Sequence, residues 1–343
     1  ILSAVETKIR KERPELQPFS LNENIRKIEL KHLKASRNIG QIRNYLQQHH
    51  PDVIIPMSPT YTLPAALALS SLFAKTILLP VEHSGGIGMN LKKASKSNVL
   101  TDIIGKFGNK LLKNKAAGFI SVSKGVKEAL IKSKNIPAAK VHVIYNPVVG
   151  QAFFQKLAQE SSHPWLVKKE VAVIVAAGAH VPIKGYDILI KAIAEVNKSK
   201  ACRLILFGEG LLTDELKKLS QSLGIENMVD FPGHISNLPA ELKSADAFVV
   251  SSHAESFSVV LVEALASGTP VVATNCPIGP PEILQSGKYG ILVEPNNPSE
   301  LAHGILRVLE GEGIDPPKES WEPYRIDKVV LDYENIINAV LSK

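Results

Sequence analysis

Two carboxylates stand out in the stretch "SHAESFSVVLVEALASGTPVVAT", residues 252 to 274. Residues 258–266 are almost wholly apolar, yet Glu263 lies among them, and Glu255 precedes it by eight residues. An ionised carboxylate buried without a partner costs several kcal/mol or shifts its pKa. The stretch reads as the end of a strand, a short loop holding Glu255, and a helix that begins near Ser258. Helices that follow such strands offer free backbone N–H groups to anions, so residues 256–260 would present theirs to a phosphate. Glu263 would then lie roughly 8 Å further along the helix axis. A carboxylate that accepts two hydrogen bonds suits a pair of adjacent hydroxyls, as on a ribose. The other reading pairs Glu263 with a lysine or arginine within the core, and the residues alone leave both open.

The elements that must position these groups are legible in the second half. Short apolar or β-branched runs recur at "VAVIVAAG" (171–178), "CRLILFG" (202–208), "MVDFPG" (228–233), "AFVVSS" (247–252), "TPVVAT" (269–274) and "YGILVEP" (289–295). Helix-like segments separate them, such as "YDILIKAIAEVNK" (186–198) and "PSELAHGILRVLEG" (298–311), where Leu301, Ile305, Leu306 and Leu309 keep helical spacing. Strands alternating with amphipathic helices predict a parallel sheet covered on both faces, a doubly wound α/β domain. The first half reads alike through "DVIIPM" (52–57), "TILLPVEH" (76–83), "AAGFISVS" (116–123) and "VHVIYNP" (141–147). The polar, proline-containing segment 148–170 is the expected hinge. Two such domains facing a cleft would bind ligands at the carboxyl ends of their strands.

Composition narrows the class. The 343 residues suffice for two domains, and 45% hydrophobic against 21% charged residues is ordinary for a globular chain. No apolar run reaches 18 residues. Two cysteines, Cys202 and Cys276, make no disulfide framework and fit a reducing, cytoplasmic setting. The net charge of +7 hides a split: residues 1–160 hold 24 Lys and Arg against 10 Asp and Glu, and the rest hold 16 against 23. The basic half suits an anionic membrane surface, nucleic acid or a phosphorylated substrate. Within it, residues 91–140 carry 12 lysines, and Leu100, Ile103, Ile104, Phe107 and Leu111 fall on one helical face. Such a helix either lies on anionic lipid or faces a core.

Glu255, seven residues, Glu263 and then "ALASGTPVVAT" resemble the signature of retaining glycosyltransferases of the family-4 type with the GT-B fold. The resemblance continues through "GAHVPIKGYDILIKAI" (178–193), "LILFGEG" (204–210), "DFPGHIS" (230–236) and "CPIGPPEILQSGKYGILV" (276–293). It extends to "FISVSKGVKEAL", "VIYNPV" and the closing "WEPYRIDKVVLDYENIINAVL". It implies two doubly wound, Rossmann-like domains: an acceptor-side domain at 1–160, a nucleotide-sugar-binding domain at 161–325, and a terminal helix at 326–343 crossing back to the first. It also implies roles. Glu263 matches the carboxylate on the nucleotide ribose, Glu255 the one on hydroxyls of the transferred sugar, and Lys184 the cation on the departing nucleotide. Backbone amides of Phe257, Ser258, Val259 and Val260 would hold the diphosphate, and Ile235 would meet the base. His83 falls where the family often has a histidine near the donor sugar, although a histidine closing a strand is commonly structural.

The expected activity is transfer, with retention, of a hexosyl or N-acetylhexosaminyl group from a nucleotide sugar to a glycan or lipid-linked acceptor. UDP-sugars are favoured over GDP-sugars. No metal is expected, because neither an Asp-x-Asp nor a zinc spacing occurs, and no cofactor besides the donor and no nucleic acid partner are expected. "FGEGLLT" imitates a dinucleotide fingerprint but has Thr213 where the third glycine belongs. Glu282 suits a helix-dipole role as well as a ligand role. Three departures bear on turnover. The family's first strand-helix unit has no match, so the chain is expected to be incomplete or short. Ala179 replaces the family's arginine, and His180 replaces an apolar neighbour. The competing function is a nucleotide-sugar-binding or partner-binding protein without turnover.

Overall fold

The apolar runs of the second half close into one six-stranded sheet, parallel throughout. The computed structural model of the protein describes residues 35–72, 75–83 and 108–342. They divide into two units, one of 1–144 with 333–343 and one of 145–332.

In the first unit, α1 (Ala35–His49) packs on α2 (Pro59–Leu72). Strands β1 (Val53–Ile54) and β2 (Ile77–Leu78) pair in parallel, as do β3 (Val81–Glu82), β4 (Phe119–Ser121) and β5 (Val141–Val143). The sequence run 76–83 is thus split in two, since Pro80 has no N–H to donate to a ladder. Helix α3 (Lys124–Lys134) begins at Ser123, whose hydroxyl accepts from the Val126 amide at 3.1 Å, and ends at Asn135 in a left-handed conformation. Residues 1–34, 73–74, 84–107 and 343 lie outside the described residues. They include most of the region expected to follow a first strand-helix unit, and Leu100, Ile103, Ile104 and Phe107 of the amphipathic segment.

The second unit opens with α4 (Gln151–Leu157) and then alternates. Its elements are β6 (Ala172–Ala177), α5 (Tyr186–Val196), β7 (Cys202–Phe207), α6 (Thr213–Ser222), β8 (Val229–Gly233) and α7 (Leu238–Ser244). These are followed by β9 (Ala247–Val250), α8 (Val259–Ala266), β10 (Val271–Thr274), α9 (Pro280–Ile283), β11 (Ile291–Val293), α10 (Pro298–Arg307) and α11 (Ile326–Leu341). The strand order is β11-β10-β9-β6-β7-β8, so the sheet reverses direction of growth between β6 and β9. Ligands of such sheets bind beyond the carboxyl ends of the strands at this reversal. Ile174, Leu204 and Ile205 of the central strands are fully buried, as are Leu189, Ile190 and Ile193 of α5. Each contributes about 1.5–3 kcal/mol of transfer free energy.

The boundary between units falls at 144/145, not at 160/161, and α11 is divided after Asp332. The polar segment expected to be a hinge is bound to the second unit instead. The Lys156 ammonium donates to the Ser236 carbonyl at 2.7 Å. Glu241, itself buried, accepts from the Ser161 hydroxyl, from the Ser162 amide and hydroxyl at 2.8 and 2.7 Å, and from the His163 amide at 3.3 Å. Polar residues in sequence suggested solvent, but here one buried carboxylate satisfies them.

Candidate functional site

The loops after β6 and β9 are stitched together at the reversal point. The His253 amide donates to the Ile183 carbonyl at 2.8 Å, and the Ser251 hydroxyl donates to the Lys184 carbonyl at 2.9 Å. Gly185, at φ 61°, makes the contact possible, since a Cβ there would lie 2.3 Å from the Ser251 carbonyl oxygen. Lys184 ends a short turn, Pro182–Lys184, directly before this glycine.

That stitching brings Lys184 and Glu255 together. The ammonium donates to Glu255 Oε1 at 2.6 Å, and the Ser252 hydroxyl donates to the same oxygen at 2.8 Å. Both side chains are mostly buried, with 23% and 10% exposed. A charge-assisted bond so shielded from water is stronger than a surface pair. Tyr186 sits behind the pair. Burial, reinforced by the charge of Glu255, holds its phenol far above the usual range, so it remains protonated.

Helix α8 supplies the second part. Its first residue is Val259, preceded by Ser258 in a left-handed conformation, φ 83° and ψ 80°. Ser258 does not cap the helix, and its buried hydroxyl makes no hydrogen bond among the described residues. The first amides of the helix therefore keep their donors available, the arrangement that favours an anion. Phe257 is buried, Val260 half-buried and Val259 exposed. Glu263 follows on the same helix, half-buried between Val262 and Ala264, both fully buried. Its carboxylate forms no ion pair or hydrogen bond with the described residues. Burial raises its pKa to about 7, and Lys156 opposes the shift. Among the described residues the core salt bridge of the competing reading is not formed.

The other predicted residues fall less centrally. Ile235 is half-buried in the loop between β8 and α7. His83 follows β3 in the first unit and is described there by itself. Burial lowers its pKa, with the neighbouring Glu82 acting against this. Ala179 is exposed, so no guanidinium stands beside Lys184 at that position. His180 does not supply the charge. It is fully buried, its Nδ1 lies 2.9 Å from the Thr213 hydroxyl, and burial lowers its pKa. The "FGEG" turn packs on this loop, with the His180 amide donating to the Glu209 carbonyl and the Leu212 amide to the His180 carbonyl, each at 3.0 Å. Asp230 meets His163 Nε2 at 2.8 Å, which removes it as the acid of a dinucleotide site. Glu282 accepts from the Tyr145 hydroxyl at 2.9 Å. A depression of about 570 Å³ opens at the ends of β7 and β8, lined by Glu209, Thr213, Lys217 and Phe231 among others.

Sequence reasoning missed Ser252 and Lys156. The "SS" that ends the strand run was a local signal for the first, since hydroxyls there face the next loop. Lys156 had no local signal, being more than a hundred residues from Glu263. Among the described residues no group of three or more His, Cys, Asp or Glu could hold a metal ion, and no helix is long and apolar enough to cross a membrane.

A parallel sheet with an uncapped helix start and a carboxylate–ammonium pair at its reversal point is the arrangement at which open α/β sheets hold ligands. Comparison with known proteins gives the family. Residues 158–325 match "Glycosyl transferases group 1", and residues 11–149 match "Glycosyltransferase Family 4". The chain belongs to the family-4 type of glycosyltransferases with the GT-B fold. It is 32% identical over 234 residues to an uncharacterized glycosyltransferase of Methanocaldococcus jannaschii, covering 65% of this chain and 60% of that one. The chain thus spans less than two thirds of that relative's length. It is 25% identical to a Campylobacter jejuni N-acetylgalactosaminyltransferase named for a diphospho-undecaprenol-linked substrate, covering 83% of this chain and 72% of the relative. Anabaena HepE in complex with UDP superposes with a TM-score of 0.69 at 23% identity, over 88% of this chain and 82% of that one.

Proposed function

We propose that the protein transfers a sugar, with retention and without a metal, from a nucleoside-diphosphate sugar to a glycan or lipid-linked acceptor. One observation carries the reading: Glu263, half-buried and without an ion pair among the described residues, lies one turn behind the uncapped start of α8, and Glu255 of the Lys184–Glu255 pair stands in the loop just before that start. Such a carboxylate is poised for ligand hydroxyls rather than for the core. Glu263 would take the ribose hydroxyls, and the amides of Val259 and Val260 the diphosphate. Glu255 would take hydroxyls of the sugar, and Lys184 would turn part of its charge to the leaving phosphate. The base would lie by Ile235, near the depression at β7 and β8. UDP-sugars of the hexosyl or N-acetylhexosaminyl type are the favoured donors, in keeping with the UDP of HepE and the Campylobacter relative's name.

The bond from the anomeric carbon to the phosphate oxygen breaks as the acceptor oxygen joins the same face. The acceptor's proton passes to that phosphate oxygen, which leaves as the nucleoside diphosphate. Helix amides and one cation suffice to stabilise this charge. Calorimetric titration with UDP, GDP and ADP tests the site, and mass spectrometry of products from candidate UDP-sugars tests transfer. A parent that binds none of the three nucleotides would sink the proposal.

The exposed Ala179 favours a second reading, in which the protein binds the donor with little or no turnover. Binding without product would decide for it.

A further inference from the structure

Ser258 is the one non-glycine residue with positive φ in the loop between β9 and α8. Glycine would adopt φ 83° freely, whereas a serine keeps it only if its surroundings hold it there. Those surroundings are aromatic. Phe257, 3% exposed, meets Tyr324 at 5.3 Å between ring centroids, at 77°, and Tyr145 at 6.0 Å. The two tyrosines meet each other edge-on at 5.1 Å. The Tyr145 hydroxyl is tied to Glu282 at 2.9 Å, on the first turn of α9. From the other side Gly279 presses on the loop, and a Cβ there would lie 2.9 Å from the Phe257 carbonyl oxygen.

The tyrosines are themselves anchored by backbone. The amides of Val148 and Val149 donate to the Tyr324 carbonyl at 2.9 and 3.1 Å, and the Ile326 amide donates to the Val149 carbonyl at 2.9 Å. Every one of these residues belongs to the second unit.

We propose that Tyr145 and Tyr324, acting through Phe257, are positioning residues for the donor diphosphate: they hold Ser258 in its left-handed turn and so fix the direction of the Val259 and Val260 amides. This rests on the reading that the start of α8 receives a diphosphate. Neither tyrosine is assigned a contact with the ligand. Ordinary core packing would use the same rings, so the distinction lies in coupling to residue 258. If the rings serve to hold a strained serine, glycine at 258 lowers the need for them.

The test is a double-mutant cycle on the full chain, with UDP as the probe in calorimetry and hydrogen exchange followed over residues 256–262 without nucleotide. Tyr145→Leu should weaken UDP binding by about tenfold and speed exchange in that segment. In a Ser258→Gly background the same substitution should cost less than about threefold. Tyr145→Phe keeps the ring, and should retain most of the affinity. Equal losses in both backgrounds, no loss at all, or a Tyr145→Phe as weak as Tyr145→Leu would overturn the clamp. Should Tyr145→Leu fail to fold, Phe257→Leu replaces it in the cycle with the same expectations. A parent that binds no UDP, GDP or ADP overturns the donor reading instead. The exchange arm then judges the clamp, which fails if Tyr145→Leu leaves residues 256–262 unchanged.

Discussion

At the scale of single residues, Glu263 is the sharpest probe. Its pKa is raised from 4.5 to about 7 by burial, so the folded chain takes up a proton that the unfolded chain has lost. Stability from this group is therefore complete at pH below 4.5, falls as the pH rises, and is at its lowest above about 7. The difference is up to about 3 kcal/mol. Glu263→Gln should be more stable than the parent at pH 8 and equal to it near pH 4, a contrast that thermal melts at both pH values will show. The same variant should bind UDP about tenfold more weakly or worse, since an amide offers one accepting oxygen instead of two and no charge to strengthen the bonds. A residue that only filled the core would lose stability at every pH and leave nucleotide affinity alone. Ala179 gives the opposite test. Restoring a guanidinium beside Lys184 with Ala179→Arg should raise the initial rate at saturating donor, by up to about 10²-fold, the size of one lost charge-stabilising contact. A variant no faster than a parent already turning over at about 1 s⁻¹ would show that the site works without the arginine.

At the scale of elements, the segment before β6 shows how a loop is recruited to a domain. Glu241 stands on α7 and gathers the chain around Ser161, Ser162 and His163. Burial pushes its pKa up, but the hydrogen bonds from Ser161, Ser162 and His163 outweigh this and hold it below the ordinary value. The stability it contributes is present above pH 4.5 and is lost as the pH falls through its lowered pKa. Glu241→Gln should cost about 1–3 kcal/mol in urea unfolding at pH 7, because several donors lose a charged acceptor. The cost should shrink toward pH 3. A pH-independent cost would mean that packing, not charge, holds the segment. The segment 148–170, expected to be a hinge, is held to α7 in this way. Seryl and histidyl residues look like linker when their acceptor lies some eighty positions away.

At the scale of the whole molecule, charge asymmetry leads to the surroundings in which the protein works. The excess of lysine and arginine in residues 1–160 is set against an acidic remainder. Lys110, Lys115, Lys124 and Lys132 are exposed in the first unit. We propose that this unit rests on an anionic bilayer, where a lipid-linked acceptor would be found. Sedimentation with phosphatidylglycerol vesicles should carry down most of the protein at low salt and far less above 0.5 M salt, roughly, as surface charges are screened. Equal binding to phosphatidylcholine vesicles, or none to either, would remove the proposal.

Sequence alone determined the order of the strands of the second unit and a helix start near Ser258, because buried parallel strands and amphipathic helices are written in local periodicity. The resemblance to the glycosyltransferase family marked Glu255, Glu263 and Lys184 as a set. Tertiary structure decided their partners. Lys184 lies seventy-one positions from Glu255 and meets it because β6 and β9 are neighbours in the sheet, with Gly185 admitting the Ser251 carbonyl. That Glu263 makes no salt bridge with the described residues, that His180 is buried, and that Tyr145 and Tyr324 converge on Phe257 could not be read from spacing. Each depends on distances between residues far apart in sequence, which are set only when the sheet forms and its loops close on one another.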